Sequence, residues 1–288
     1  MKKTKINSWL HEFLRTFAGR GIIVKICAGI IIFIVVIAIL APLLTPYSPT
    51  EMSLTEKLQQ ASNEHLLGTD HLGRDLLTRL LYGSRISLTT SVLSCVIASV
   101  IGMLLGMVAG YYKGIVSQII MRITDAQLSI PPLILTIVLA SLFEGGVKGV
   151  SIVIGISLLP TYIRVIYSLV LSLKESDYVV AAKLLGKSSW GIVVKHLIPN
   201  CIPSLIVLLT MNLGTAIMLE ASMSFLGVGI SAPTPAWGSM VSEGYNYLIM
   251  YPSLALLPGF CVLLTVVAFN VVGDGLRDAL DPRLRGKL

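Results

Sequence analysis

Charged residues are scarce in this chain, since Asp, Glu, Lys and Arg together make up 13% of its 288 residues. The 22 Lys and Arg residues give a formal net charge of +7, but they form no dense basic run with interleaved aromatic residues, which argues against nucleic-acid binding. Apolar residues dominate instead, with 55% hydrophobic residues and a mean hydropathy of +0.84. This composition is typical of a polytopic membrane protein.

Cysteine is also sparse. The four cysteines lie singly within or beside apolar segments, without Cys-x-x-Cys spacing, so the pattern supports neither a disulfide framework nor a zinc site. No cluster of serine, cysteine or carboxylate residues offers a catalytic triad or dyad. We therefore predict that the chain itself is not an enzyme.

Two segments resemble ligand-binding motifs but depart from them at decisive positions. His65 and His71 lie near Asp70 without the H-E-x-x-H spacing of a helical metal site, and adjacent glycines favour a turn, so we interpret them as part of a polar loop. The segment AAKLLGKS, residues 181–188, has Ala181 where the phosphate-binding pattern requires its first glycine. We expect this chain to bind neither a metal nor a nucleotide.

Six runs are apolar for about 18 residues or more, the length that crosses roughly 30 Å of hydrocarbon as a helix. We predict an all-α membrane bundle with six transmembrane helices. Their predicted ranges are 22–44, 88–112, 126–143, 150–173, 201–226 and 251–272. The first run follows several lysines but is longer than the core of a typical signal peptide, so we interpret it as a retained anchor.

Lysine and arginine are divided unevenly between the two sides of these spans. If both termini are cytoplasmic, five of the 22 lie outside and 17 lie inside or at the inner ends, as the positive-inside preference requires. We therefore predict a multi-pass membrane protein with both termini in the cytoplasm. The outer five are Lys57, Arg74, Arg79, Arg85 and Lys148.

The chain is predicted to form one membrane domain with an amino-terminal appendage. Residues 1–45 comprise a cytoplasmic segment and the first span, and residues 46–86 form an extracytoplasmic loop. The core spans 87–274 and includes a polar cytoplasmic hairpin at 174–200, which is followed at the chain end by the tail 275–288. This tail carries the basic residues Arg283, Arg285 and Lys287.

The polar hairpin contains two short helical patterns on either side of Gly186. Glycine permits the reversal between them, and Pro199 is expected to end the second helix. Apolar side chains recur at helical spacing on the first helix and predict a face that docks on a partner protein. The residues of this face are Tyr178, Ala181, Ala182 and Leu185.

Small residues recur at every fourth position of the second span and predict a helix face that packs closely against another helix, with lining of a transport path as the alternative. These residues are Ala98, Gly102, Gly106 and Gly110.

Proline and charge mark three further positions in the spans. Pro131 and Pro132 remove backbone donors and predict a bend or break in the third span. Arg164 is expected to reach the cytoplasmic surface or to find a partner, because an isolated charge near the bilayer centre is costly. Glu220 is expected to face the bundle interior, either in a packing network or along a substrate path.

The hairpin resembles the EAA loop of ATP-binding cassette importer permeases. That pattern runs E-A-A, three residues, Gly, nine residues, Ile, one residue, Leu, Pro. The matching residues are Ala181, Ala182, Gly186 and Pro199. The departures are Val180 for the glutamate, His196 for the isoleucine and Ile198 for the leucine.

Three further segments narrow the resemblance to the C-type subunit of dipeptide, oligopeptide and nickel importers. They are LGTDHLGRDLLTRLLYGSRISL at 67–88, FLGVGISAPTPAWGSM at 225–240 and GDGLRDALDPRLR at 273–285. The first segment carries the loop signature Gly68, Asp70, Gly73, Arg74 and Asp75, to which we assign mainly structural roles. In the second, Pro233, Pro235 and Trp237 predict a rigid outer loop with an interfacial anchor, and contact with a binding protein is the alternative.

The resemblance implies a five-helix core preceded by one extra span and paired with a second, homologous permease. Two ATPase subunits would bind beneath the permease pair at the bacterial cell membrane and hold ATP and Mg²⁺. The hairpin would dock in a cleft on the ATPase, while an extracytoplasmic binding protein would deliver substrate. This chain would bind no cofactor and would form half of the path for peptides. Nickel or a metal chelate is the alternative substrate, and an independent channel or intramembrane enzyme is the alternative of another class.

Overall fold

The computed structural model describes residues 21–280, and within that range the chain is helical apart from loops and one isolated β-bridge between Thr69 and Asp75. The predicted cytoplasmic amino terminus and the basic tail residues lie outside the described residues. The helices are α1 Ile22–Leu44, α2 Leu76–Tyr111, α3 Ile115–Leu128, α4 Pro132–Ala140, α5 Gly146–Leu173, α6 Asp177–Leu184, α7 Ser189–Ile192, α8 Ile198–Phe225, α9 Trp237–Tyr245 and α10 Ser253–Leu280. A 3₁₀ turn covers Leu54–Glu56 and a π-helical turn covers Val193–Leu197.

Five of these helical segments are long and apolar enough to cross a membrane, and the bent pair α3–α4 supplies a sixth. The predicted all-α membrane bundle is therefore confirmed. Helix α2 lies at its centre and packs along α5 and α8, while α10 packs against α8 and α1. The short helix α9 fills the space between α8 and α10 at the end of the bundle that carries the long loop between α1 and α2. We call this the loop end, and the opposite end, where α6 and α7 lie, the hairpin end.

The four small residues of α2 lie against α5. A methyl group built on Gly106 would come within 2.9 Å of Ile166 Cβ, and one built on Gly110 within 2.7 Å of Val170 Cβ. Both distances are too short for real carbon atoms, so the two helices approach as closely as they do because these side chains are absent. Ala98 and Gly102 are likewise buried along the same contact.

Several helices extend beyond the predicted spans. Helix α2 begins at Leu76 rather than near residue 88, because Asp75 caps it: the backbone N–H of Thr78 donates to Asp75 Oδ2 at 2.7 Å. At the hairpin end, helical structure runs from Ser189 through the π-helical turn into α8. The apolar cores of the predicted spans are right, but their boundaries miss these polar extensions.

The third predicted span is wrong in its boundaries. It is not one helix over 126–143, because α3 ends at Leu128 and α4 begins at Pro132, and their axes are bent by 97°. The break falls where Pro131 and Pro132 lack backbone donors, and the residue before a proline disfavours α-helix. The predicted bend or break is therefore confirmed. The start at Ile115 was missed because polar residues dilute the hydropathy of α3.

Candidate functional site: the hairpin, the loop-end charges and the buried carboxylate

The hairpin reverses at Gly186, whose φ of +73° lies in the left-handed region. The N–H of Gly186 donates to Lys183 O at 2.9 Å, and the N–H of Lys187 donates to Ala182 O at 3.1 Å. These bonds satisfy carbonyls at the end of α6, as left-handed glycine caps commonly do. A side chain at Gly186 would meet no atom within 4 Å, so the backbone conformation rather than lack of space favours glycine there.

The second arm of the hairpin differs from its prediction, because Pro199 does not end a helix. It lies in the first turn of α8, directly after the π-helical turn. Proline lacks an N–H and its ring crowds the carbonyl four residues earlier, and the wider π turn accommodates both effects. The N–H of Ile198 bonds to Val193 O, five residues back. The hairpin is therefore continuous with the membrane helix α8.

The inner side of the hairpin shares an apolar core with the membrane helices. Val179 and Ala182 of α6 pack with Ile192 of α7 and with Leu197 of the π turn. This group continues into buried residues of α2, α5 and α8, which are Met107, Ile166, Val170 and Cys201. The hairpin and the ends of α2 and α5 therefore share one continuous apolar core.

A lysine joins the root of the hairpin to α2. The buried Lys174 Nζ donates to the backbone oxygen of Gly110 at 2.8 Å, in the last turn of α2. Burial lowers the pKa of Lys174 below its ordinary value, and the nearby Lys113 lowers it further. A lysine ammonium at the carboxyl end of a helix satisfies a carbonyl and interacts favourably with the helix dipole. Sequence reasoning missed Lys174, because its partner lies 64 residues away.

The outer side of the hairpin is apolar and open. Leu184, Leu185 and Trp190 are 84%, 87% and 73% exposed, and Tyr178 is 44% exposed. We call these four residues the hairpin tip. Sequence reasoning named Tyr178 and Leu185 but missed Leu184 and Trp190, although a tryptophan in a polar connection was a usable signal.

The remaining residues of the predicted docking face divide between the two sides. Ala181, Gly186 and Pro199 are exposed, whereas Ala182 is turned inward and buried. The helical spacing that suggested one common face therefore covers both the outer and the inner surfaces of α6. Lys187 Nζ lies 2.6 Å from His196 Nε2 and links the two arms of the hairpin.

At the loop end, the signature residues form a buried network of charges. Arg74 Nε lies 2.6 Å from Asp70 Oδ2, and Arg74 Nη2 lies 2.6 Å from Glu243 Oε2. Arg79 Nη2 lies 3.1 Å from the same Glu243 oxygen. His65 Nδ1 lies 2.9 Å from Asp75 Oδ1. This network joins the loop to α2 and to α9, and it fits the mainly structural roles expected of these residues.

Two carboxylates of this network and the neighbouring His71 come close enough to suggest a metal site. One ligand atom from each of Asp70, His71 and Glu243 lies within 4.8 Å of the others. The carboxylates of Asp70 and Glu243 are, however, already bonded by the guanidinium groups of Arg74 and Arg79. Because these guanidinium groups already neutralise the two carboxylates, the arrangement does not favour a cation.

Glu220 is fully buried between α8, α2 and the loop that precedes α9. Ser224 Oγ donates to Glu220 Oε1 at 2.8 Å and accepts from the N–H of Ile230 at 3.0 Å. Ser87 on α2 lies near this carboxylate and accepts from the N–H of Trp237 at 3.4 Å. The carboxylate therefore sits in a polar network that fastens the loop at Ile230 and the start of α9 at Trp237 onto α8 and α2, and it is not exposed in this conformation.

Arg164 on α5 forms an ion pair with Asp125 on α3. Both side chains are about half exposed, although they lie within helices that belong to the membrane bundle. The partner expected for Arg164 from the sequence is therefore Asp125, a residue that sequence reasoning had not singled out.

The sequence matches two protein families over most of its length. Residues 102–286 match the family described as "Binding-protein-dependent transport system inner membrane component". Residues 23–63 match the "N-terminal TM domain of oligopeptide transport permease C". The chain belongs to this family of transport permeases. The predicted ATP-binding cassette importer permease and its C-type assignment are thereby confirmed.

Named relatives match this permease from end to end. The dipeptide transport system permease protein DppC of Alkalihalophilus pseudofirmus is 38% identical over 98% of this chain and 92% of the relative. The glutathione transport system permease protein GsiD of Pectobacterium atrosepticum is 37% identical over 96% and 91%, respectively. A chain of the MetNI methionine ABC transporter in an inward-facing crystal form has the same fold, with a TM-score of 0.58, 20% identity, and coverage of 71% of this permease and 97% of that chain.

Proposed function

We propose that this permease forms half of the translocation path for di- or oligopeptides in an ATP-driven importer. Its relatives are named for dipeptide and glutathione transport, and glutathione is itself a short peptide, which favours peptides over nickel as cargo. The two loop-end carboxylates that could have suggested a metal, Asp70 and Glu243, are already paired with arginine side chains. The second half of the path belongs to a homologous permease subunit.

The hairpin is the surface through which one of two ATPase subunits drives this chain. The observation that carries this assignment is the apolar hairpin tip on an element whose other side is packed into the membrane helices. Exposed leucine and tryptophan side chains on a helical hairpin suit a hydrophobic cleft on a protein partner. ATP and Mg²⁺ bind in those partners, and the permease itself is not catalytic.

The orientation follows from the same assignment. The hairpin end lies in the cytoplasm with both termini, and the loop end faces the extracytoplasmic binding protein. ATP binding favours one state of the complex and hydrolysis restores the other, because the ATPase pair contacts nucleotide differently in the two states. The shared core at Val179 and Leu197 passes the resulting displacement from α6 to α2 and α5.

The hairpin tip offers a direct test of this coupling. Leu185→Glu should lower ATPase-dependent dipeptide uptake by at least about tenfold, since losing the burial of one leucine weakens binding by about 1.5 to 3 kcal/mol. Co-purification of the ATPases with the permease should fall in parallel. Uptake is measured in cells with labelled dipeptide, and the complex by affinity purification from detergent.

Leu54→Glu is the matched control, because Leu54 is a similarly exposed leucine at the loop end. It should leave both the amount of bound ATPase and the uptake close to wild type. Normal uptake and normal ATPase binding by a well-expressed Leu185→Glu permease would contradict the assignment of the tip as the docking surface. Dipeptide uptake that persists without any ATPase would contradict the importer itself.

A further inference from the structure

Helix α3 has a polar face and an apolar face. Four polar residues spaced four, three and four positions apart occupy an arc of about 60° on a helix of 3.6 residues per turn. They are all exposed, and we call them the α3 stripe: Gln118, Arg122, Asp125 and Ser129. Exposed apolar residues lie on another face of α3, at Val116, Ile119 and Ile123. Within α3, Thr124 is the buried residue.

The charged pair of Asp125 and Arg164 lies well away from the hairpin end of α3 and α5. At 1.5 Å per residue, Asp125 is about 15 Å from the start of α3 at Ile115, and its partner Arg164 is about 14 Å from the end of α5 at Leu173. The two side chains are nevertheless 48% and 55% exposed. A charged pair at that depth is costly against acyl chains, so its open side faces water or protein.

Water is favoured over a packed subunit interface by the side chains themselves. Close helix contacts in this chain are made by small residues, as at Gly106 and Gly110 of α2. The α3 stripe instead presents long polar side chains, and it carries Arg122 in addition to the Asp125–Arg164 pair. Two positive charges therefore stand against one negative charge. Such a surface holds water and counter-ions more readily than another helix.

We propose that the α3 stripe and Arg164 line the hairpin half of the substrate path and guide the charged ends of peptides through it. This inference rests on the proposed importer function. Arg122 and Arg164 attract the peptide carboxylate, while Asp125 attracts its ammonium group. An exposed ion pair is weak, so a passing zwitterion can replace it and leave again.

The test compares the two faces of α3 by cysteine labelling in the complete complex. Single variants on the stripe are Gln118→Cys, Arg122→Cys and Ser129→Cys, and matched variants on the apolar face are Val116→Cys, Ile119→Cys and Ile123→Cys. Inside-out vesicles are treated with a membrane-impermeant cationic methanethiosulfonate. Wild-type vesicles account for the native cysteines, of which Cys27, Cys95 and Cys201 are buried. The stripe cysteines should react at least about tenfold faster, because a water-filled cleft gives access to a charged reagent.

A second measurement tests whether the stripe guides the peptide carboxylate. A dipeptide with a free carboxylate, added at millimolar concentration, should slow the labelling of Gln118→Cys and Ser129→Cys. The same dipeptide with an amidated carboxyl end should slow it less. Equal protection by the two peptides would overturn carboxylate guidance, and equal labelling of the two faces of α3 would overturn the water-filled path.

Dipeptide uptake by the wild-type complex in whole cells separates this inference from the importer function. If uptake is normal but the stripe cysteines do not react faster, the path lies elsewhere and the inference fails alone. If the wild-type complex takes up no dipeptide, the proposed function fails. Fast labelling would then still support an aqueous lining, and slow labelling would overturn that as well.

Discussion

Different interactions attach the loop end and the hairpin end of this permease to its membrane helices. At the loop end, Arg74 and Arg79 bridge Asp70 to Glu243. These ion pairs join segments that lie about 170 positions apart in the sequence. At the hairpin end, an apolar core joins α6, α7 and the π turn to the membrane helices, and Lys174 adds a polar tether to α2. The loop end also has an apolar cluster, at Leu76, Trp237 and Leu254, but directional ion pairs are added to it there, whereas the hairpin end depends mainly on apolar contacts that can slide.

This difference suits a hairpin end that moves and a loop end that stays in place. Buried charge pairs tolerate little displacement, because separating them leaves unpaired charges in a medium of low dielectric constant. Apolar side chains can shift against each other by small rotations while remaining buried. The loop end is therefore expected to act as a rigid frame, and the hairpin end as the part that responds to the ATPases.

The largest expected effect comes from removing an arginine of the charge network at the loop end. Arg74→Ala should destabilise the protein by about 3 to 5 kcal/mol, because it leaves the carboxylates of Asp70 and Glu243 without their best partner. Thermal unfolding of the purified protein in detergent and the amount of folded protein in membranes measure the change.

Arg85→Ala is the control, since Arg85 is an exposed arginine of α2, the helix that begins two residues after Arg74. Its effect on thermal unfolding should be small, within about 0.5 kcal/mol as for most surface substitutions. If Arg74→Ala unfolds at the same temperature as Arg85→Ala, the loop end is not held by its charges, and the contrast between the two ends is lost.

A smaller effect is expected from removing the polar tether of the hairpin. Lys174→Met keeps the apolar part of the side chain but loses the bond to Gly110 O, which as a charged hydrogen bond contributes about 1.5 to 3 kcal/mol. The expected result is partial uncoupling: uptake per ATP hydrolysed falls, while ATP hydrolysis by the complex continues. The measurement is the ratio of the two rates in proteoliposomes.

Lys195→Met serves as the comparison, because Lys195 is an exposed lysine on the second arm of the hairpin. It should keep the wild-type ratio of uptake to hydrolysis. A Lys174→Met complex in which both rates fall together would assign Lys174 a role in stability alone and would remove its role as a positioning residue for coupling.

How much of each end can be predicted from the sequence depends on how far apart its contacting residues lie along the chain. The turn at Gly186, the break at Pro131 and Pro132 and the apolar spans are encoded locally, so residue type and periodicity were sufficient to predict them. The ion pair between Arg74 and Glu243 and the tether from Lys174 to Gly110 join distant segments. No local pattern specifies such pairs.

The start of helix α3 was missed for a different reason. Its polar stripe lowers the mean hydropathy of the segment, and a search for uninterrupted apolar runs passes over a helix that shows one polar face inside a membrane. Pro199 was misinterpreted because a proline usually ends a helix, whereas here the preceding π-helical turn accommodates it.

The smallest effects are expected from replacing one glycine at each end of the protein by alanine. Gly186 and Gly227 have φ values of +73° and +80°, and a side chain at either position would meet no atom within 4 Å. Alanine at each should therefore cost about 1 to 2 kcal/mol from backbone strain alone. Thermal unfolding in detergent should show similar, small decreases for Gly186→Ala and Gly227→Ala.

Uptake should separate these two variants although their stabilities do not. Gly186 sets the angle between the hairpin arms and the position of the hairpin tip, so strain there should reduce dipeptide uptake and bound ATPase. Gly227 lies at the end of α8 on the loop side, where the same strain acts on a part that is not expected to move. Equal losses of uptake in the two variants would mean that the hairpin end is no more sensitive to backbone geometry than the frame, and that its apolar contacts do not carry the motion.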